Sequence, residues 1–237
     1  MRIALLSDLH ANLPFAEAAV ARARREGCDR IIHLGDAIDL GPWPAETLDF
    51  LAAESIESVR GNHDEYPILG LPDATRRTMS AAVREHVAWT ADQLSDRHIE
   101  QLLTMPVQRE SVVDEWLVRF AHFAIENGRV SQEYLNDSLT ETAARLNLAA
   151  GQIACFGHTH HRVWDFKGDR ALLNPGATGF SSSDQAGFAV LAIRDISVWV
   201  EWHPVESSME FAIAELERRN VPAWRDSVRY MFEAVSA

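Results

Sequence analysis

The chain has 237 residues, a formal net charge of −13, 47% hydrophobic and 24% charged residues, and two cysteines, Cys28 and Cys155. That length suits one large domain or two small ones, and the composition is that of a globular protein. The acidic balance argues against a protein that grips nucleic-acid phosphates, which needs a basic face. A small anionic substrate stays open, because bound divalent cations reverse the field locally. Two thiols without a Cys-x-x-Cys spacing make neither a disulfide framework nor a redox motif. The apolar run after Met1 stops at Asp8, too short for the core of a signal peptide, and no stretch approaches transmembrane length. The expectation is a cytoplasmic protein without membrane contact.

In chain order, residues 2–7 form an apolar run that suits a buried strand. Residues 11–27 follow as a helix, with Pro14 in its first turn and Gly27 as its stop. Residues 30–34 read as a strand, 44–53 as a helix and 56–60 as a third strand. Strand, helix, strand is the signature of a parallel α/β sheet. Each of these strands runs into a polar cluster: Asp8 and His10, then Asp36, then Asn62, His63 and Asp64. Ligands of open α/β sheets bind beyond the carboxyl ends of the strands, which places the three clusters on one rim. Residues 65–106 break the pattern with Pro67, Gly70 and Pro72 and then carry helical periodicity over 80–94 and 96–105, with Ser95 or Asp96 as N-cap. This reads as a helical insertion within one domain spanning 1–237. Strands resume at 115–121 and 152–156 with a helix over 141–150 between them, then at 171–174, 188–194 and 197–202. A C-terminal helical segment, 206–237, holds amphipathic stretches at 208–219 and 223–234 divided by Pro222.

The clusters share one ligand chemistry. Asp8, His10, Asp36, Asn62, His122, His158 and His160 offer carboxylate, amide-oxygen and imidazole donors with no thiolate. Such a set suits first-row divalent metals rather than Ca²⁺. His158 and His160 alternate in an extended turn, so each can serve a different ion of a pair, and a single carboxylate such as Asp36 is the simplest bridge. Two ions roughly 3.5–4 Å apart hold and deprotonate a bridging water for in-line attack on phosphorus. His63 is placed to protonate the leaving oxygen, with Asp64 orienting or charge-stabilising its ring.

The fragments Asp8-x-His10, Gly35-Asp36, Gly61-Asn62-His63-Asp64, His122 and Gly157-His158-x-His160, in this order, resemble the calcineurin-like metallophosphoesterase superfamily. The resemblance implies a four-layer α/β fold, a sandwich of two β-sheets flanked by helices. It implies one metal on Asp8, His10, Asp36 and His160, a second on Asp36, Asn62, His122 and His158, and His63 as the catalytic histidine. Two divalent ions are implied, Mn²⁺ foremost, with Fe²⁺, Zn²⁺, Ni²⁺, Co²⁺ or Mg²⁺ as alternatives. Asn12 and the Asn174-Pro175-Gly176 turn fit the same pattern. Trp89-Thr90, residues 93–95 and 103–106, and the tail over 206–222 are similar to small prokaryotic members of the diadenosine-tetraphosphatase-like and protein-phosphatase-like group. Two positions depart from that group: Leu40-Gly41-Pro42 follows Asp39 where those relatives place an arginine, and Phe123 follows His122 where many have glycine.

The implied function is hydrolysis of phosphomonoesters or phosphodiesters of small or nucleotide-like substrates. The competing readings are a non-catalytic metal- or protein-binding scaffold on the same fold, a protein phosphatase, and a nuclease, which the net charge disfavours. Each fragment alone reads as a surface turn or a helix cap. His33 is expected to be buried and hydrogen-bonded, His161 exposed or peripheral to the site, and His86, His98 and His203 structural or solvated. Arg76, Arg77 and Arg84 suit a solvated helix face or a grip on substrate, and Trp89 a core position or a base-stacking platform. Residues 199–202 suit a packing strand or a contact between copies in a homo-oligomer.

Overall fold

Ile3, Ala4, Leu5 and Leu6 are all fully buried, which places β1 (Arg2–Leu6) inside a sheet covered on both faces. The computed structural model describes residues 1–132, 139–179, 186–226 and 228. After β1 come α1 (Leu13–Arg25), β2 (Arg30–His33), α2 (Pro44–Ala53) and β3 (Glu57–Ser58). Four helices follow: α3 (Asn62–Leu69), α4 (Asp73–Thr78), α5 (Ala81–Asp92) and α6 (Asp96–Thr104). Then come β4 (Gln108–Val113), β5 (Trp116–Ala121), the short hairpin β6 (Ile125–Glu126) and β7 (Arg129–Val130), and α7 (Leu139–Arg145). The chain continues through β8 (Gln152–Cys155), β9 (Arg162–Lys167), β10 (Arg170–Pro175), β11 (Gly187–Arg194), β12 (Ser197–Pro204) and α8 (Met209–Arg218).

Two five-stranded sheets result, with orders β12-β11-β1-β2-β3 and β4-β5-β8-β10-β9. In the first, β1, β2 and β3 are parallel; in the second, β5, β8 and β10 are parallel. Side chains alternate across β1. Ala4 and Leu6 join a core with Phe15, Ala19, Leu48 and Leu51 of α1 and α2, while Ile3 and Leu5 join Ile32, Val118, Phe120, Ile153 and Leu173 between the sheets. A third core, with Phe123, Phe156, Leu146 and Leu172, lies on the outer face of the second sheet. The period-two alternation of strands therefore yields the helix–sheet–sheet–helix layering that the resemblance implies.

Several elements differ from expectation. The third strand shrinks to two residues, because α3 begins at Asn62 and draws the chain off the sheet. The helix expected over 141–150 spans Leu139–Arg145. Strands β4 and β9 were not expected. Both lie at sheet edges, where half the residues face solvent and apolar alternation is weak. The helix expected over 223–234 falls largely outside the described residues. Ser95 caps α6, with the Ser95 N–H donating to His98 Nδ1 at 3.1 Å. No helix among the described residues is long and apolar enough to cross a membrane.

Candidate metal centre

The carboxyl ends of β1, β2 and β3 meet those of β5 and β8 at one edge of the sandwich. Beyond the strands the loops continue to pair: Asp8 N–H donates to Gly35 O at 3.0 Å, His10 N–H to Asp36 O at 3.0 Å, and Gly157 N–H to His122 O at 2.9 Å. These loops run through left-handed backbone at Asp8, His10, Ala11, Asp36, Asp39, Leu40, His158 and His160, with φ between 46° and 70°. Non-glycine residues in that region cost about 1–3 kcal/mol each, so the packing around them must offset the strain. Most of these residues carry side chains the site uses, which is why glycine does not replace them. Where the backbone itself must come close, glycine appears. A Cβ on Gly61 would lie 2.1 Å from Asp36 Oδ1. Gly61→Ala is therefore expected to displace Asp36 and destabilise the chain by about 1–3 kcal/mol, measured as a drop in the denaturant midpoint; an unchanged midpoint would contradict this packing.

Every one of the seven expected ligand residues reaches this edge. Asp8, His10, Asp36, Asn62, His122 and His158 are buried, and His160 stands at the opening with its side chain 20% exposed. Asp8, His10 and His160 form one cluster in which ligand atoms lie within 4.8 Å of each other; Asp8, Asp36 and His122 form a second. His160 Nε2 is 3.3 Å from Asp8 Oδ1, and His10 Nε2 is 3.2 Å from His160 Nε2. Asp36 Oδ2 stands between the two groups, 3.8 Å from His10 Nε2 and 3.1 Å from His122 Nε2. His158 Nδ1 lies 3.0 Å from Asn62 Oδ1.

The tautomers show what fits here. His122 Nδ1 faces Leu34 O at 2.8 Å, a carbonyl that only accepts, so Nδ1 carries a hydrogen. Nε2 of the neutral ring is then a lone pair aimed at the Asp36 carboxylate, which is repulsive unless a proton or a cation sits between them. Asp8 Oδ2 is likewise buried with no hydrogen-bond partner among the described residues. Oxygen and imidazole donors with lone pairs converging on shared points fit divalent cations of the first transition row. Phe123 stacks on His158 with ring centres 5.0 Å apart, so the bulkier residue beside His122 supports a ligand ring rather than crowding it.

The charges follow from burial and neighbours. Burial, the largest influence, pushes His10 and His158 down to about 3, which keeps both rings neutral. For His122 burial also pushes down, yet Asp36 and Asp8 outweigh it and lift the ring to about 9. The Asp36 carboxyl is held well below the usual range: burial opposes this, and His122, His63 and His10 prevail. In the metal-free chain His122 is thus protonated below about pH 9. The charged pair with Asp36 contributes stability that is complete below the ordinary histidine pKa and is lost as pH rises through about 9. A cation must displace that proton. Metal affinity is expected to rise with pH up to about 9, roughly tenfold per unit for the position that uses His122. Calorimetric titration in buffers of different ionisation enthalpy reads the released proton, and a pH-independent affinity would refute the linkage.

The expected pairing of Asp64 with His63 is corrected. Asp64 Oδ2 accepts the amides of Asp36 at 2.9 Å and Gly61 at 2.8 Å, and Oδ1 accepts those of Ala37 at 2.9 Å and Ile38 at 3.2 Å. Adjacent residues on a helix project about 100° apart, so His63 and Asp64 of α3 point different ways. Asp64 pins the Asp36 loop to the first turn of α3. Burial first, and Asp36 second, push its carboxyl up to about 7, so neutralising Asp36 is coupled to the ionisation of Asp64. The partner of His63 is Asp39, whose Oδ2 is 2.7 Å from His63 Nδ1. Asp39 is itself buried, accepts Thr90 Oγ1 at 3.3 Å, and has His86 Nε2 at 3.7 Å. Two residues of α5 therefore reach behind the catalytic-histidine candidate, and His86 is structural as expected.

A second missed pair is Tyr66 and Gln132. The Asn62 amide donates to Tyr66 Oη at 3.3 Å and Gln132 Oε1 at 3.4 Å, which turns its oxygen toward His158. Tyr66 lies four residues after Asn62, one helical turn on, so the α3 register carried that signal; Gln132 carried none. Asn12 donates to Gly179 O at 2.6 Å and Asn174 to Gly157 O at 2.7 Å, so both brace the loops. His33 is buried as expected, but neither ring nitrogen has a hydrogen-bond partner of good geometry among the described residues. His161 is exposed, and His203 is buried against Phe188 with ring centres 5.1 Å apart. Arg84 donates to the main-chain carbonyls of Arg76 and Met79, tying the α4–α5 turn, and Arg76 and Arg77 are exposed. Trp89 is partly buried with its ring centre 6.2 Å from His86, and Trp199 and Trp202 remain partly exposed.

Comparison with known proteins agrees with this geometry. The family model described as "Calcineurin-like phosphoesterase superfamily domain" matches residues 1–196. The uncharacterised protein MJ0912 of Methanocaldococcus jannaschii is 23% identical over 239 residues, covering 94% of each chain. A metallophosphoesterase from Sphaerobacter thermophilus superposes with a TM-score of 0.71 at 26% identity, covering 97% of both chains. The hypothetical protein PH1004 from Pyrococcus horikoshii OT3 shares the fold at a TM-score of 0.78 and 15% identity, covering 98% of this chain and 97% of that one. The family is one of metal-dependent hydrolases of phosphoric esters, and the two-sheet sandwich with Asp and His groups at one edge is its architecture. With the match covering most of the sequence, the chain belongs to the calcineurin-like phosphoesterase superfamily.

Proposed function

We propose that the chain is a dinuclear metal-dependent phosphoesterase acting on phosphomonoesters or phosphodiesters of small or nucleotide-like substrates. Asp8, His10, Asp36 and His160 hold one ion; Asp36, Asn62, His122 and His158 hold the other; Mn²⁺ is the preferred metal. The observation that carries the reading is the position of Asp36 Oδ2 between His10 Nε2 and His122 Nε2, one carboxylate facing both ligand groups. Two ions held there supply an activated water for in-line attack and neutralise charge on the phosphoryl oxygens.

The remaining work falls to the chain's own side chains. His63 lines the opening with its side chain 19% exposed, and its ring is raised to about 9. Burial alone would lower it; Asp36 and the hydrogen bond that the ring donates to Asp39 overcome that. In the metal-free chain the ring therefore holds a proton at neutral pH; with cations on Asp36, the Asp39 carboxylate at Nδ1 remains to favour the protonated ring, which can give its proton to the leaving oxygen from Nε2. The His63 amide also donates to Asp36 Oδ1 at 2.9 Å, so the proton donor and the shared ligand move as one piece. Asn62 and Gln132, through Tyr66, keep the opposite wall in register.

The test is turnover of a generic aryl phosphate ester by protein stripped with a chelator and reloaded with single metals. Mn²⁺ is expected to restore activity. A stripped protein that no divalent metal reactivates on any phosphoric ester would overturn the proposal.

A further inference from the structure

A cavity of about 510 Å³ opens in front of the ligand cluster. Its floor is the set of metal and proton-donor candidates described above. Its walls are Leu40 from the loop after β2, Tyr66 from α3, Thr78 at the end of α4, Met79 and Ser80 between α4 and α5, Val83 from the first turn of α5, and Gln132, with the exposed Asp226 also on its lining. That volume suits a small organic ligand.

The wall chemistry is one-sided. Leu40, Tyr66, Met79 and Val83 present a mainly apolar surface, Thr78 and Ser80 add only neutral hydroxyls, and no lysine or arginine lines the cavity among the described residues. The arginines nearest in sequence are not on the lining: Arg84 donates to the carbonyls of Arg76 and Met79, Arg225 pairs with Glu217 at 3.1 Å, and Arg76 and Arg77 are exposed. The position after Asp39 is Leu40, an apolar wall residue, and among the described residues the single charged group of the lining outside the floor is the carboxylate of Asp226. Cations on the floor can compensate the charge of one phosphoryl group. A second phosphate would lie against Leu40, Met79 and Val83, desolvated and without a counter-charge, and such burial is strongly unfavourable. The net charge of −13 adds repulsion for any polyanion at long range.

Resting on the phosphoesterase reading above, we propose that the substrate carries a single phosphoryl group esterified to an apolar or aromatic alcohol, and that the chain discriminates against nucleoside polyphosphates. Leu40, Met79 and Val83 are the specificity-determining residues: they receive the alcohol group and exclude further phosphates.

The test uses Mn²⁺-loaded protein and diesters that share one leaving group, methyl p-nitrophenyl phosphate and phenyl p-nitrophenyl phosphate, beside ATP and diadenosine tetraphosphate. The phenyl diester is expected to exceed the methyl diester in kcat/KM by about 10- to 100-fold, from burial of the ring. ATP and the tetraphosphate are expected to fall at least about 100-fold below the phenyl diester, since each adds unpaired charge. In Val83→Lys, or in Met79→Lys should the first variant fold poorly, the ratio of tetraphosphate to phenyl-diester turnover is expected to rise by at least tenfold. Equal rates for the two diesters, or a native preference for the polyphosphates, would overturn the substrate class and leave the phosphoesterase reading standing. No turnover of any ester with any metal would remove both.

Discussion

Asp36→Ala is expected to empty both metal positions and to lower kcat/KM by more than about 10³-fold, the scale of losing the centre's electrostatic stabilisation altogether. The reason is geometric. Oδ2 of Asp36 lies 3.1 Å from His122 Nε2 and 3.8 Å from His10 Nε2, and Oδ1 accepts the His63 amide at 2.9 Å. No other side chain of the cluster touches both ligand groups and the proton-donor candidate. Asp8 Oδ1 also faces both groups, at 3.3 Å from His160 Nε2 and 3.9 Å from His122 Nε2, but the proposed assignment gives it to one ion, so Asp8→Ala is expected to leave the other bound. Alanine at 36 also leaves the His63 amide without its acceptor, so Asp36→Asn serves as the companion variant: it keeps an oxygen for that amide and removes the charge. Metal content by atomic emission, read beside a denaturation midpoint, separates lost ligand from lost fold. Two ions retained in a folded Asp36→Asn protein would remove Asp36 from the bridging role.

The ligand set was legible in the sequence because each ligand follows a strand, and strand ends are what alternation and apolar runs announce. Asp8, Asp36 and Asn62 follow β1, β2 and β3, His122 follows β5, and His158 follows β8. The order of strands and helices was legible for the same reason, and the second sheet followed from the family resemblance, whereas the alternation of β1 between helices and sheet shows only in the packed structure. What failed was pairing between neighbours in sequence. Asp64 looked like the partner of His63 because it is the next residue, yet on a helix successive side chains diverge, and an acid three residues after Gly61 is placed to take the Gly61 amide at 2.8 Å. Asp39 carries no such signal, because its approach to His63 depends on consecutive left-handed backbone at Asp39 and Leu40, with φ of 70° and 67°, a conformation that leucine rarely adopts. Helix α3 was obscured by Pro67, which reads as a breaker and stands sixth in this eight-residue helix, where it forfeits the main-chain bond to the His63 carbonyl and the helix ends two residues later. The contacts of Thr90 and His86 with Asp39 join residues about fifty positions apart, and only the packed structure reveals them.

Removing the His63 ring is expected to cost about 10²- to 10⁴-fold in kcat while leaving metal content unchanged, as suits a proton donor that is not a ligand. The size of the loss should depend on the leaving group. An alkoxide leaving group needs the proton and shows the full effect in His63→Ala. A nitrophenolate, stable as an anion near neutral pH, needs little help, and its loss should be much smaller. Asp39→Asn tests the arrangement from behind. In the metal-free chain Asp36 and Asp39 together raise the His63 pKa against burial; with cations on Asp36, Asp39 is the carboxylate left to hold it up, and the proton donor works only below that pKa. Loss of the Asp39 charge lowers it, so the alkaline limb of the kcat profile is expected to move to lower pH, with kcat at its plateau reduced about 10- to 100-fold through poorer orientation of the ring. Thr90→Val, which removes only the hydroxyl 3.3 Å from Asp39 Oδ1, should move the limb in the same direction by less. An unmoved limb in Asp39→Asn would mean that the titrating group is not His63. A loss in His63→Ala that is equal for alkyl and nitrophenyl esters would mean that the ring stabilises the phosphoryl oxygens instead of the leaving oxygen. The two variants together thus locate the proton, because only a donor at Nε2 with Asp39 on Nδ1 couples the leaving-group dependence to the alkaline limb.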